Sequence, residues 1–374
     1  MAASNHDSKI ILPFIPSLSH IASAKVAIEL HSMVDIEFLL ALSRKVQSGN
    51  LTIFGKDMQE KYNEKYEKAK KVILHIPTNL RQRIFEIVQY IHDEVGMWKS
   101  DHSAILCLNQ DYIYFTFYWR CDGTIDRTKT AQEIIGNEKI NVKKRFVMAC
   151  IYCLEYEVTY LWAKLELCVK LRIFEKPVNS FVFFWVRWLC YGGFYSWTQY
   201  VQNFLMPPLI FSSLGTPIRF SSFLSELRSE NRRNFYKFLE LCHPDDFRFC
   251  IYQATKEEQK EILKMHPVKV LLCYLDWPLQ TEFLEVADKM WNYLQHYHFG
   301  LVLEFLMAVV YRTDFDYKEL LVEFWSRSPD DFKVYARKAK ILNKQIDLFF
   351  SGRKNKTMLD DENDRTSLKS LRGL

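Results

Sequence analysis

The sequence predicts an all-α protein: an elongated α-solenoid of stacked helix pairs with little or no β-structure. Three observations predict it. Glycine is scarce, with 11 in 374 residues, whereas tight hairpins and phosphate-cradling loops both consume it. Helix-start signals recur through the C-terminal half of the chain. An internal echo spaces similar segments 85 and 89 residues apart, about twice the period of short helical repeats, roughly 33 to 47 residues.

Composition narrows the class further. Aromatic residues make up 15% of the chain, and each one buried removes a large area from water, so bulky contacts can hold a few helices together. The net charge is only +5, from 50 basic and 45 acidic residues, too small an imbalance to imply nucleic acid. The nine cysteines are odd in number and mostly lie in apolar stretches. With no basic or apolar leader in Met1–Asp7, reduced thiols and a cytoplasmic location are expected.

Taken in order, residues 1–18 read as an extended segment. A dense apolar pattern from Ser19 to Gln47 predicts the first helix, and the charged run Lys56 to Lys71 a solvent-facing one. Pro77-Thr78 opens an amphipathic helix with Leu80, Ile84, Val88 and Ile91 on one face, and Gly96 is placed to end it. Tyr112 to Trp119 has strand-like composition, but no partner strand is visible nearby, so a buried helix is expected. Cys121-Asp122-Gly123-Thr124 forms a turn. Thr130 to Ile135 forms a short helix closed by Gly136-Asn137. Two short helices follow back to back from Lys144 to Trp162, continuing to about Ile173.

Breaks at Lys176–Asn179 and Met206–Pro217 divide a helical lobe of residues 19–176 from a helical-repeat lobe of residues 177–350. Between them Phe181 to Trp197 is aromatic, but it holds Arg187 and Gly192-Gly193. A membrane span needs about 20 apolar residues, so a buried helix or helix pair is expected. Thr255-Lys256-Glu257-Glu258 is a capping box. Ser328-Pro329-Asp330-Asp331 places an N-cap, a first-turn proline and first-turn acids; His243-Pro244-Asp245-Asp246 and Trp277-Pro278 use proline in the same way. Residues 351–374 alternate basic and acidic blocks and predict a disordered charged tail.

The echo sets Lys143-Lys144-Arg145-Phe146 over Arg232-Arg233-Asn234-Phe235 and Cys153 over Cys242. A second one sets Pro244-Asp245-Asp246-Phe247 over Pro329-Asp330-Asp331-Phe332. On these residues the chain resembles degenerate ankyrin repeats. Ala149 and Cys150 match the small pair ending the first helix of such a repeat, Val158, Leu161 and Trp162 its second-helix core, and Cys242-His243 the Gly-His turn. Cys153 and Cys242 stand where glycine is usual, and no Thr-Pro-Leu-His opening is present. Asp122 to Arg127, with Lys144 to Phe146 and Cys150 to Glu155, also resembles a group of largely uncharacterised arthropod proteins with ankyrin-like helices. The resemblance implies a helical scaffold and no particular partner.

The chemistry-bearing candidates read as structural. Cys150 and Cys153 have CxxC spacing, but no second pair is spaced to complete a zinc site, and the pair ends an apolar helix. His296 and His298 point to different sides of a helix. His243 reads as a turn residue bonding nearby backbone, and Asp245 with Asp246, like Asp314 with Asp316, as caps. No catalytic residue, cofactor or metal ligand is identified. Lys143, Lys144, Arg145, Arg232 and Arg233 form two basic clusters at equivalent repeat positions, which are the candidate partner-binding residues. The expected function is a non-catalytic protein–protein interaction scaffold. The alternatives are an enzyme or small-molecule binder with a pocket in residues 180–215, and nucleic-acid binding through the basic stripe.

Overall fold

The computed structural model describes residues 9–33, 71–107, 114–205, 219–312 and 314–351. Among them every regular element is helical, and the one β contact is an isolated antiparallel bridge between Trp119 and Ile125. The chain divides into two compact units, Met1–His266 with Asp276–Leu279 and Pro267–Leu275 with Gln280–Leu374. The sequence break at Lys176–Asn179 therefore lies inside the first unit. The charged run before Lys71, the break at 206–217 and the tail beyond 351 lie outside the described residues.

The first unit holds α1 (Leu18–Met33), α2 (Thr78–Asp101), α3 (Arg127–Gly136), α4 (Val142–Ile151), α5 (Glu155–Lys164), α6 (Leu167–Glu175), α7 (Ser180–Tyr191), α8 (Trp197–Phe204), α9 (Phe220–Leu224), α10 (Ser229–Tyr236), α11 (Pro244–Gln253) and α12 (Lys256–Met265). Ala27 and Leu30 of α1 share a dry cluster with Ile84, Phe85, Ile87, Val88 and Ile91 of α2. The predicted first helix is described as far as Met33. α2 does not stop at Gly96. Trp98 is wholly buried and stacks on His102 with ring centroids 4.0 Å apart. Its burial carries the helix another turn, since an unhindered glycine weakens a helix without ending it.

Of the aromatic run before the turn, Tyr112 and Ile113 lie outside the described residues, and Phe115 to Trp119 is extended, not the buried helix expected from the sequence. Phe115 is buried and Phe117 and Trp119 half-buried, while Tyr114, Thr116 and Tyr118 face outward, the period-2 alternation of extended chain. Phe115 and Phe117 pack on Trp98 with centroids 5.6 and 5.2 Å away. The Thr130 hydroxyl accepts the Tyr118 N–H at 3.0 Å, and the Tyr118 carbonyl accepts the Asp126 N–H at 2.7 Å. A side chain and a loop thus do what a neighbouring strand would otherwise do.

The turn from Cys121 to Thr124 is observed, and Gly123 adopts φ +84°. A Cβ there would stand 2.3 Å from Cη2 of Trp277. Trp277 stacks with both His20 and Tyr90. The Trp277–Pro278 peptide is cis and lies in a turn, so it does not open a helix as its proline suggested.

α4 ends in a left-handed residue. Cys153, one residue past the C-cap Tyr152, takes φ +53°, and Leu154 N–H reaches back to the Ala149 carbonyl at 3.0 Å, the longer bond of a Schellman closure. Cys242 is extended, at φ −70° and ψ 149°. The two cysteines therefore align in sequence but not in backbone conformation. α4 packs on α3, α5 and α7, and the Trp185 indole of α7 donates to the Cys150 carbonyl at 3.0 Å, satisfying an orphan of the α4 C-terminus. Farther along, α9 packs on α11 and α10 on α12, each helix on the next but one. The Thr255–Glu258 capping box forms in both directions at the start of α12.

The second unit holds α13 (Pro267–Cys273), α14 (Phe283–Met290), α15 (His296–Val309), α16 (Tyr317–Arg327), α17 (Asp330–Lys338) and a helix over 340–351. The same spacing recurs: α13 packs on α15, α14 on α16 and α15 on α17. Phe283, Trp291, Phe299, Phe324 and Phe332 form its aromatic centre. Ser328 ends α16, and Pro329 takes the N-cap of α17, one residue from the predicted arrangement. No described helix is long and apolar enough to cross a membrane.

Gly123→Ala combines a left-handed backbone with an overpacked Cβ and is expected to lower unfolding free energy by about 2 kcal/mol or more. Gly96→Ala, in open helix surface, raises it by up to about 1 kcal/mol. Urea denaturation of the two variants measures both.

Candidate functional site

The densest collection of ionisable groups in the first unit is buried, and α11 builds it. His243 is the N-cap of this helix, Pro244 its first residue, and Asp245 and Asp246 follow in the first turn. Proline fits there because its missing N–H has no intrahelical partner to lose, and acids there face the positive end of the helix dipole. Local rules thus place the two aspartates, and tertiary packing supplies their partners.

Asp245 is the hub. Its carboxylate lies 3.0 Å from Nη1 of Arg219, 3.2 Å from Nη1 of Arg120, 3.5 Å from Nη2 of Arg248 and 3.8 Å from Nε of Arg127. Burial alone would raise its pKa, but the arginines, led by Arg219, hold the carboxyl well below the usual carboxylate range. Arg127 also reaches Asp101 at 2.6 Å and Glu94 at 4.0 Å, both on α2. Burial pushes the Glu94 carboxyl up, against the pull of Arg127. Asp246 turns to α9, where it accepts the Phe220 and Ser221 N–H groups at 2.6 and 3.1 Å and the Ser221 hydroxyl. It therefore caps a helix other than its own.

Neutral groups complete the cluster. His243 Nδ1 accepts the Asp245 N–H at 3.3 Å, the local backbone bond expected of it, and Nε2 lies 3.2 Å from Arg127. Burial, reinforced by Arg127, lowers its pKa to about 3. His102 bridges the Trp98 carbonyl at 2.7 Å and the Tyr152 hydroxyl at 3.0 Å. Burial takes its pKa to about 3 as well, and pushes the Tyr152 phenol to about 12.

Chemically, this arrangement clamps. Four guanidinium groups face four carboxyl groups with most of their side-chain surface buried, and each charge is spent on another side chain or a helix end. Breaking such a group by removing one partner is costly, because the survivors remain buried and uncompensated.

The basic residues singled out by the sequence are placed differently from one another. Lys143 and Lys144 sit half-exposed in the first turn of α4, and Lys144 Nζ lies 3.4 Å from the Cys107 sulfur. Arg145 is buried and donates to the Ile135 carbonyl at 2.6 Å. Arg232 donates to the Leu227 carbonyl at 2.8 Å and pairs with Glu258 at 3.3 Å. Arg233 is exposed and forms a fork with Glu261. All three arginines are thus engaged within the fold.

Cys150 and Cys153 are thiols whose pKa burial pushes well up, the opposite of what a reactive pair needs. None of the nine cysteines is in a disulfide. Among the described residues no group of three His, Cys, Asp or Glu side chains could hold a metal ion. The aromatic block of residues 180–215, where a ligand pocket was considered, is described to Leu205. Its α7–α8 core is filled by Phe181, Phe184, Trp185 and Trp197. A shallow groove beside α8 is lined by Thr198, Gln202 and Asn231, whose polar atoms are taken by one another and by Glu226 and Arg228.

Outside this core the surface of α5 to α8 carries large apolar side chains. On α6, Leu167 and Leu171 are exposed and Phe174 is half-buried, and all three fall on one side of the helix. Phe174 touches Tyr191 at the end of α7. Phe194, just beyond, is 95% exposed. Lys164, Lys170 and Arg187 lie over the rings of Tyr160, Trp162 and Phe183.

Comparison with protein families, curated proteins and solved structures finds no match for this chain.

The clamp makes two predictions. Asp245→Asn lowers unfolding free energy by about 3 to 5 kcal/mol, while Asp330→Asn, at the equivalent place in the repeated motif but 97% exposed, changes it by about 0.5 kcal/mol or less; chemical denaturation compares them. Stability also depends on pH. His102 and His243 take protons near pH 6.5 when unfolded but resist them down to about pH 3 when folded, so their contribution is full above pH 6.5 and falls as pH drops below it. At pH 5 each costs about 2 kcal/mol, offset in part by Glu94, whose raised pKa works the other way. Urea midpoints at pH 7.5 and 5 show the loss, and His243→Asn, which keeps a cap, flattens it.

Proposed function

We propose that the protein is a non-catalytic protein–protein interaction scaffold, built as an α-solenoid of stacked, ankyrin-like helix pairs. What supports the architecture is the next-but-one packing of α9 to α12 and of α13 to α17, the pattern expected when successive helix pairs stack. What supports the activity is the exposed apolar surface of α5 to α8. Protein interfaces centre on aromatic anchors surrounded by polar groups, and Leu167, Leu171, Tyr191 and Phe194 with the neighbouring lysines and Arg187 have that composition. The basic side chains first considered for binding contribute less, since Arg145, Arg232 and Arg233 are engaged within the fold.

A photo-crosslinking amino acid at Phe194 is expected to give a discrete protein adduct in cell extract. The same group at Tyr311, an exposed aromatic of the second unit, gives none of that size, and Leu171→Asp abolishes the adduct. Equal labelling from both positions, or labelling indifferent to Leu171→Asp, would count against the surface.

A further inference from the structure

A fully buried glutamine holds the N-terminal segment of this chain. Gln259 lies on the inner face of α12 with none of its surface exposed. Its Oε1 accepts the backbone N–H groups of Ile10 at 2.8 Å and Ile11 at 3.1 Å. Its Nε2 donates to the Ile11 carbonyl at 3.0 Å and to the Ile251 carbonyl of α11 at 2.9 Å. One amide therefore satisfies both polar groups of Ile11 and the N–H of Ile10, around which the backbone bends.

Two side chains complete the contact. Ile11 is 1% exposed. The Lys9 ammonium donates to the Tyr252 carbonyl in the last turn of α11, where the helix dipole favours a cation. Beyond Ile11 the segment is held lightly: Leu12 is 59% and Ile15 88% exposed, and Phe14 is half-buried with its ring edge-on to His20 at 5.7 Å. The chain is next anchored at His20, whose ring stacks on Trp277 and whose Nε2 meets the Asp122 carbonyl. Pro13 and Pro16 keep the intervening stretch extended.

Among the described residues, attachment around Ile11 through one amide, one apolar side chain and one ammonium is a small contact that can open without unfolding the helices beneath it. The amide itself demands an occupant. Without one, Oε1 would be left unpaired in a closed pocket, which is unfavourable.

We propose that the site formed by Gln259, Tyr252 and the pocket of Ile11 is a peptide-binding site. It takes a partner segment with a lysine or arginine followed by two β-branched residues that bends around the amide, and Lys9-Ile10-Ile11 is its occupant in cis, closing it until displaced. The inference shares the protein-binding reading above but uses a different surface, so its test and the Phe194 crosslink succeed or fail independently.

The probe is a fluorescently labelled synthetic peptide of residues 9–17, titrated by anisotropy into full-length protein. Ile11→Asp weakens the occupant in cis, and this variant is expected to bind the peptide at least tenfold more tightly than the wild type. Adding Gln259→Leu removes the binding, and an Ile11→Asp peptide does not bind. A folded Ile11→Asp protein that binds no peptide at 100-fold molar excess would overturn the proposal. Hydrogen exchange on the wild type gives a reading independent of any variant. Amides of Ile10 and Ile11 are expected to exchange faster than those of α12, and exchange only together with α12 would also overturn it. A concentration-dependent dimer dissolved by the peptide would overturn the assignment in cis, because the occupant would then come from a second copy.

Discussion

The first unit is organised around one carboxylate that cannot leave water unless four arginines come with it. Asp245 sits in the first turn of α11, and its partners arrive from the 119–125 turn, the start of α3, the start of α9 and its own helix. Arg127 extends the set to α2 through Asp101 and Glu94. A buried ionic group of this kind adds little net stability over a well-packed apolar one, yet any arrangement that omits a partner is heavily penalised. Its effect is therefore selective. It rejects packings in which those elements fail to meet, and apolar contacts such as α1 against α2 supply the stability.

Gln259 follows a different logic. The hub is closed by groups on helices and on the turn they hold, so it opens only when the unit does. Gln259 is closed by a non-helical segment held mainly at Ile11. Both are buried polar groups held by hydrogen bonds, with ion pairs added at the hub, but the free energy of opening each depends on how much else must move. The exposed apolar side chains of α5 to α8 are a third case: among the described residues Leu167, Leu171 and Phe194 stay largely uncovered, although residues beside them, such as Val158, Ile173 and Trp185, are completely covered.

The repeated Pro-Asp-Asp-Phe motif separates local from tertiary instruction. In both copies it starts a helix and buries its phenylalanine, Phe247 in one and Phe332 in the other. In the first copy the aspartates become the hub and the cap of a neighbouring helix, while Asp330 and Asp331 of the second stay in solvent. The motif specifies dihedral angles and a buried anchor. What surrounds its acids depends on arginines 26 to 125 residues away.

The sequence by itself determined the helical class, most helix starts, the capping box at Thr255 and Glu258 and the turn at Gly123. Each of these rests on residues within about one helical turn of one another, where dihedral preference and short hydrogen bonds decide. Only the tertiary structure decided that α2 continues past Gly96, that Phe115 to Trp119 is extended, that Trp277–Pro278 is a turn and that Arg145 points inward. In each case a distant group outweighs the local signal: the cover over Trp98, the Thr130 hydroxyl, the stack of His20 and Tyr90 on Trp277, the Ile135 carbonyl. The arginine–aspartate hub was illegible for the same reason. Asp245 and Asp246 read as ordinary caps, because nothing in their own segment reveals that Arg120, Arg127 and Arg219 converge on them, and an ion pair is a property of distance in space.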